Sequence, residues 1–258
     1  MHALVGGFDF SVFKADLFGT DFIVPGIRTL LITLAAQVSG IALGFLLALL
    51  RRSKLAVVRA PASAYVFFFR GTPILVQIVL VFDGLDELTG SSVLVHPITR
   101  NAIVAGILAL ALNEAAYMAE IIRAGLLSIE KGQFEAARSL GMTGGLAMRR
   151  IIMPQALRVI IPPTGNEFIS MLKTTSLLEI IAVPELFTVA SQHYSYDLKY
   201  FEPLLTISIW YIGFTFLFSR VQAVIERRLN AGYAEIALPQ QARMLNRLLG
   251  SGLSKGSR

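Results

Sequence analysis

Five mostly apolar stretches constrain the folds open to this chain more than any other feature of its sequence. A segment needs about 20 such residues to cross the ~30 Å hydrocarbon core of a bilayer. The stretches are residues 27–50, 56–82, 102–122, 164–187 and 204–225. Charged residues make up 16% of the chain, against about 25% in typical soluble domains. The sequence therefore predicts an all-α, polytopic membrane protein, a single domain with five transmembrane helices.

The basic residues predict the orientation of these spans. Arg51 and Arg52 follow the first span, basic residues recur through the loop 123–163, and Arg227 lies near the start of the tail 226–258. Lys and Arg concentrate on the cytoplasmic side of membrane proteins. We therefore expect the N-terminus outside and the C-terminus in the cytoplasm. Because the basic residues lie beside apolar runs, we attribute the net charge of +6 to topology and expect no nucleic-acid partner.

The sequence lacks the residue patterns of several kinds of catalytic and metal site. The chain has no cysteine, and His2, His96 and His193 lie far apart. We therefore expect no metal site and no cofactor in this chain. No G-x-x-x-x-G-K-[ST] phosphate loop is present, so the chain should not hydrolyse ATP itself. An intramembrane enzyme would also need a nucleophile and a base at reactive spacing, and the sequence offers no such pair.

The segment "GQFEAARSLGMTGGLAMRRIIMP", residues 132–154, has the turn chemistry of two short helices. Its first half favours helix, and Gly141 stands where a helix ends in the left-handed conformation. Thr143 can cap a second helix, and Pro154 is expected to kink or stop it. The small residues Ala136 and Ala137 suit docking into a groove on another protein. A solvated connector is the alternative.

Charged residues inside the predicted spans need a partner or a cavity. Arg70 precedes Gly71 and Pro73, which weaken the helix and free backbone groups to face a cavity. Its guanidinium could hold a carboxylate through two parallel hydrogen bonds. The alternative is an internal ion pair with Glu114 or Glu120.

The predicted fourth span carries a polar face. Glu167, Ser170 and Thr174 share one side of a helix. A carboxylate at Glu167 facing Arg70 would suit the ammonium and carboxylate groups of an α-amino acid, and Asn166 is a weaker candidate for the same site. A structural or gating role for Glu167 is the alternative. Lys173 could snorkel, pair with Glu179 or help to hold a carboxylate.

The predicted third span also carries polar residues. Asn113, Tyr117 and Glu120 share one face of a helix, and Glu114 points elsewhere. Hydrogen bonding between helices is the simplest role for the shared face.

Three stretches carry a resemblance to a known family. Glu135, Ala136, Ala137, Gly141 and Ile151-x-Met153-Pro154 resemble the EAA motif of ATP-binding-cassette (ABC) importer permeases, with Met153 in place of leucine. The stretches "RGTPILVQ" (70–77), "NEAAYMAEIIRAGLLSIEKGQFEAARSLG" (113–141) and "PQALRVIIPPTGNEFISMLKTTSLLEIIAVPEL" (154–186) are similar to the polar amino acid subfamily, the histidine/glutamine/arginine-type permeases.

The resemblance implies a type I ABC importer (MetI-like) permease fold in a bacterial inner membrane. It implies a cytoplasmic ATPase dimer that binds ATP and Mg²⁺, a second permease subunit, identical or a sister chain, and an extracytoplasmic solute-binding protein. It assigns ATPase docking to a coupling helix with Glu135, Ala136, Ala137, Arg138 and Gly141. It directs polar amino acid binding to Arg70, Asn166 and Glu167, and the polar face of the predicted fourth span adds Ser170 to this set.

An ion-coupled secondary transporter is the alternative function. It could also need Arg70, Glu114 and Glu167. Five spans, however, do not divide into two equal inverted repeats, and this alternative leaves the segment 132–154 without a role.

Overall fold

The computed structural model describes residues 8–90, 98 and 100–253, without the side chains of residues 197 and 232–253. Within these ranges the chain forms helices and no strand, so the predicted all-α class is confirmed. The α-helices are α1 (Phe10–Phe18), α2 (Thr20–Arg51), α3 (Ala56–Gly71), α4 (Ile74–Val79), α5 (Leu85–Thr89), α6 (Ala102–Leu127), α7 (Lys131–Ser139), α8 (Gly144–Ala147), α9 (Met153–Thr174), α10 (Leu186–Asp197) and α11 (Phe201–Leu253). Wider π-helical turns join α4 to α5 (Leu80–Gly84) and α8 to α9 (Met148–Ile152), and a 3-10 segment (Thr175–Ile181) follows α9.

Three single helices in the described ranges have the length and apolar composition of a membrane span. They are Thr20–Arg51, Ala102–Leu127 and the part Phe201–Ala231 of α11. Two bent pairs also qualify when each is taken as one span: Ala56–Gly71 with Ile74–Thr89, bent by 113°, and Gly144–Ile181 with Leu186–Tyr196, bent by 50°. The count reaches the predicted five only if each bent pair crosses once, so the span count stays a prediction.

The packing of α2 along α6 is the most extensive helix contact in the described part of the chain. Gly40 and Gly44 lie four residues apart and so occupy one face of α2. A Cβ added to Gly40 would lie 2.6 Å from the Cβ of Glu114, and one added to Gly44 would lie 2.6 Å from the Cβ of Met118. Only hydrogen fits at these two positions, and such small-residue contacts are how helices approach closely in lipid.

A second cluster of buried apolar residues holds α4, α6 and the 3-10 segment together. Ile78 of α4, Leu110 of α6 and Leu178 of the 3-10 segment are fully buried in one cluster. The short helix α4 is therefore anchored against α6, although α3 and α4 are separated by a break. This anchoring fixes where the break lies relative to α6.

The fourth predicted segment, residues 164–187, differs from the observed winding. It covers the end of α9, the 3-10 segment and the start of α10. Ala182 takes the left-handed conformation at φ 56°, and Glu185 caps α10 by accepting a 2.7 Å hydrogen bond from the Thr188 amide. The bounds 164–187 were predicted from the length of the apolar run, whereas the local turns at Ala182 and Glu185 determine where the helices end.

The tail 226–258 is also only partly described. Helix α11 continues to Leu253, and residues 254–258 lie outside the described residues.

Replacing Gly44 by valine should destabilise the protein. The added side chain would collide with Met118 and with the Ala115 carbonyl, and overpacking of this kind costs about 1–3 kcal/mol. Thermal unfolding of the purified protein in detergent measures the effect. Gly213→Val is the matched control, because a Cβ on Gly213 meets nothing within 4 Å. An equal loss of stability in both variants would contradict the close approach of α2 to α6.

Candidate functional site

The break between α3 and α4 is the centre of the candidate site. Pro73 has no N–H, so the carbonyl four residues earlier, that of Phe69, loses its helical partner. This carbonyl instead accepts hydrogen bonds from Gln77 Nε2 at 2.9 Å and Asn113 Nδ2 at 3.2 Å. The predicted weakening of the helix at Gly71 and Pro73 is confirmed.

Arg70, directly before the break, faces a cavity of about 560 Å³. Its guanidinium carbon lies 5.6 Å from the centre of the Tyr117 ring. Its Nη1 lies 3.7 Å from Glu120 Oε1, which is longer than a hydrogen bond. The side chain is 46% exposed, and within the described residues none of its N–H groups donates a hydrogen bond. Arg70 therefore presents uncommitted donors to the cavity.

Glu120 is already occupied by two other arginines. Its Oε1 accepts a 2.6 Å hydrogen bond from Arg51 Nη1. Its Oε2 accepts from Arg123 Nε at 2.8 Å and lies 2.7 Å from Arg123 Nη2. The ion pair with Glu120 that was the alternative for Arg70 is therefore present, but at 3.7 Å it leaves the Arg70 side chain without a hydrogen bond in the described part of the chain.

Glu114 points away from Glu120 and its arginine partners, as predicted. It is 2% exposed, and its Oε1 accepts a 2.8 Å hydrogen bond from Gln37 Nε2 on α2. Asn113, Tyr117 and Glu120 contact residues of α3, which confirms that these three residues share one face of α6.

Glu167 on α9 interacts electrostatically with Arg70 and with Glu114. Its half-buried carboxylate is close enough to the Arg70 guanidinium and to the Glu114 carboxylate for their charges to interact. Asn166 is exposed, and its Oδ1 accepts a 3.2 Å hydrogen bond from Gln222 Nε2 on α11. Ser170, one helical turn beyond Asn166, is also exposed. Within the described residues, however, no hydrogen bond or ion pair joins Glu167 to Arg70, and no residue of α9 lines the Arg70 cavity.

Lys173 is exposed at the end of α9. Within the described ranges it forms no ion pair with Glu179, which instead accepts a 3.4 Å hydrogen bond from Ser191 Oγ. His193 of α10 lies with its Nδ1 3.9 Å from Asp16 Oδ1, and His2 and His96 fall outside the described residues.

A second candidate site is the helical knob formed by α7, the following turn and α8 (residues 131–147). Gly141 has φ +75°, as predicted. Its N–H donates to the Arg138 carbonyl at 2.9 Å, and the Met142 N–H donates to the Ala137 carbonyl at 3.0 Å. This pair of hydrogen bonds is a Schellman motif, which closes the end of α7 rigidly. Thr143 Oγ1 accepts from the Leu146 amide at 3.4 Å, so the predicted cap is confirmed.

The knob exposes most of the residues predicted for docking. Glu135, Ala136, Arg138 and Gly141 are exposed, and Leu140 beside them is 79% exposed. Ala137 departs from the expectation, because its side chain is completely buried in this chain. Like Ala147 of α8, which is 1% exposed, it lies inside the knob. The surface available to a partner therefore comes from the neighbours of Ala137.

Pro154 does not stop the second helix, so that part of the expectation is wrong. The π-helical turn Met148–Ile152 leads directly into α9, and Pro154 lies in the first turn of α9. A proline is tolerated there because the helix ladder widens just before it: the Met153 N–H donates to the Met148 carbonyl five residues earlier, and such π-helical turns accommodate breaks in the regular ladder.

The sequence interpretation missed several residues that build the site. Gln37 and Gln77 are almost fully buried, and Arg51 and Arg123 hold Glu120. Gln37 and Gln77 could have been found from the sequence as amide side chains inside apolar runs, because polar residues at membrane depth need partners.

Three comparisons with known proteins show which family and fold the chain shares. Residues 40–231 match the family model described as binding-protein-dependent transport system inner membrane component. The arginine transport system permease protein ArgU of Corynebacterium glutamicum is 39% identical over 237 residues, which cover 87% of this chain and 73% of that protein. A chain in the crystal structure of an amino acid ABC transporter with histidines is 39% identical with a TM-score of 0.74, and the match covers 86% of this chain and 100% of that one.

The inward-facing MetNI methionine ABC transporter is a more distant neighbour. It is 20% identical with a TM-score of 0.66, over 81% of this chain and 95% of that one, and this likeness concerns the fold alone. The predicted type I, MetI-like ABC importer permease fold is confirmed. The chain therefore belongs to the family of binding-protein-dependent transport system inner membrane components, as its resemblance to ABC importer permeases predicted.

Proposed function

We propose that this chain is the permease subunit of an ABC importer that carries a polar amino acid into the cytoplasm by alternating access. The observation that carries the proposal is the helical knob, a rigid and exposed element on an otherwise apolar chain. The knob would dock into a cleft of a separate ATPase subunit, in the way an exposed helix fits a groove. ATP and Mg²⁺ would bind to a dimer of that partner, since this sequence contains no phosphate loop.

The connections of the knob suit it to transmit motion. Only residues 128–130 separate α6 from α7, and the π-helical turn joins α8 to α9 without a gap. Glu120 lies on α6 and Glu167 lies on α9. A displacement of the knob by the ATPase would therefore reach both helices that border the candidate substrate site.

Arg70 and Glu167 would bind the two α-groups of the substrate. The free N–H groups of Arg70 match a carboxylate in a bidentate arrangement, and the Glu167 carboxylate would hold the ammonium group. Asn166 and Ser170, exposed on the same helix, would line the site beside Glu167. The names of the relatives, which describe arginine and amino acid transport, support an amino acid as the substrate.

We also propose the surroundings in which the subunit works. The membrane would be a bacterial inner membrane, with the N-terminus outside and the C-terminus in the cytoplasm. A second permease subunit, identical or a sister chain, would complete the pathway, and an extracytoplasmic binding protein would deliver the amino acid.

Uptake should depend on ATP and not on an ion gradient. Proteoliposomes containing this permease, its cognate ATPase and its binding protein should take up radiolabelled L-arginine, L-histidine or L-glutamine only with ATP on the ATPase side. Uptake should persist when ionophores collapse the sodium and proton gradients. Uptake by this chain alone, driven by either gradient, would replace the importer with the ion-coupled transporter, for which the Glu114 and Glu167 carboxylates would be the natural ion site.

Gly141→Asp should uncouple ATP hydrolysis from transport. A left-handed conformation costs a residue with a Cβ about 1–2 kcal/mol, and the new charge would face the partner. A Cβ at Gly141 meets nothing within 4 Å, so the bundle should stay folded. ATP hydrolysis and uptake are measured in the same proteoliposomes.

Gly132→Asp is the control for this variant. It adds the same side chain to the same knob, also in open space, but in the first turn of α7, where a carboxylate suits the helix dipole. Its transport should stay near the wild-type rate. Normal transport by Gly141→Asp would contradict docking through the turn.

A further inference from the structure

The carbonyl of Phe69 has two side-chain donors, although one would satisfy it. Pro73 removes its helical partner, and Gln77 and Asn113 each donate a hydrogen bond to it. Gln77 is 2% exposed, so its amide is committed to the interior. A buried backbone carbonyl without a partner would be costly in a membrane protein, which explains one donor but not two.

The same amides tie three helices together. The two hydrogens on Gln77 Nε2 are shared between the Phe69 carbonyl and two atoms of Thr72, its carbonyl oxygen at 3.1 Å and its Oγ1 at 2.8 Å. Its Oε1 accepts a 2.9 Å hydrogen bond from Asn113 Nδ2. This amide network, composed of Gln77 and Asn113, thus joins the end of α3 to α4 and to α6.

Arg70 follows Phe69 directly, and within the described residues its side chain forms no hydrogen bond. Glu120, its nearest carboxylate on α6, is held by Arg51 and Arg123 at shorter distances. The direction of the Arg70 side chain therefore depends on the backbone from which it projects, on the face of the Tyr117 ring and on the 3.7 Å contact with Glu120. The amide network fixes that backbone on both sides of Arg70, at residues 69 and 72.

We infer that Gln77 and Asn113 are positioning residues that orient Arg70 toward the carboxylate of the transported amino acid. This inference rests on the proposed role of Arg70 in binding the substrate. The two donors on one carbonyl prevent the last turn of α3 from rotating where the helix ladder is broken. Displacements of about 1 Å at a binding group are enough to weaken its interaction strongly.

The test measures how well the site recognises a carboxylate. The probe is whichever of radiolabelled L-arginine, L-histidine and L-glutamine the wild-type importer carries, and the competitors are the same unlabelled amino acid and its carboxamide. Binding is measured on the purified permease–ATPase complex without the binding protein. The ratio of the two inhibition constants is the carboxylate preference of the permease itself.

Arg70→Met should lower the carboxylate preference about tenfold, the effect of losing a hydrogen bond to a charged group. Gln77→Met and Asn113→Leu should each lower it about threefold or more. When either is combined with Arg70→Met, no further loss is expected, because residues that act through one group are not additive. Gln155→Met is the matched control and should leave the preference unchanged, because Gln155 Nε2 donates to the Ile151 carbonyl of the preceding π-helical turn.

The outcomes separate this inference from the proposed function. If Arg70→Met lowers the preference but Gln77→Met and Asn113→Leu do not, positioning by the amide network is overturned and the role of Arg70 stands. If Arg70→Met leaves the preference unchanged, the role of Arg70 falls and the inference falls with it. Asn113 is only half-buried, so Asn113→Leu decides the question if the buried replacement at Gln77 prevents assembly.

Discussion

The close approach of α2 to α6 is the constraint on which the rest of the structure depends. Gly40 and Gly44 remove the side chains that would separate the two backbones. Only at this separation can Gln37 reach Glu114 and Arg51 reach Glu120. Lipid offers no polar partner for these groups, so the glycine contact sets both the packing and the positions of the charges.

Helix α6 distributes these polar groups to two sides. One face directs Glu114 toward α2, and the other directs Asn113, Tyr117 and Glu120 toward α3. Glu120 accepts hydrogen bonds from Arg51 and Arg123 and leaves the N–H groups of Arg70 without a hydrogen bond to any described residue. At the proline break the Phe69 carbonyl loses its helical partner and accepts hydrogen bonds from the Gln77 and Asn113 side chains instead. Arg70 is thus available to a ligand because its neighbours are satisfied by other partners.

The sequence was most informative where local chemistry decides the structure. Gly141 and Thr143 adopt the conformations that their residue types predict, and the polar face of α6 follows from helical spacing. Arg70 and Glu167 were also expected to face each other across a cavity, and this pairing stays a prediction.

The remaining features depend on tertiary contacts. Pro154 was expected to kink or stop a helix, but the helix continues past it, after the ladder widens to a π-helical turn immediately before it. Ala137 was expected on the docking surface, but α7 packs against the following segment of the knob and buries it. The Gly40 and Gly44 pair becomes a packing signal only once Glu114 and Met118 of α6 are known to lie opposite.

The central claim is that energy from ATP enters this chain through the helical knob. The chain contains no cysteine, so Ala136→Cys would provide a unique thiol on the exposed face of α7. A photoreactive benzophenone attached there should cross-link to the ATPase subunit in membranes, whereas the same probe directed to Ala137→Cys should cross-link far less, because that side chain is buried. Absence of the Ala136→Cys cross-link in an intact complex would contradict the account.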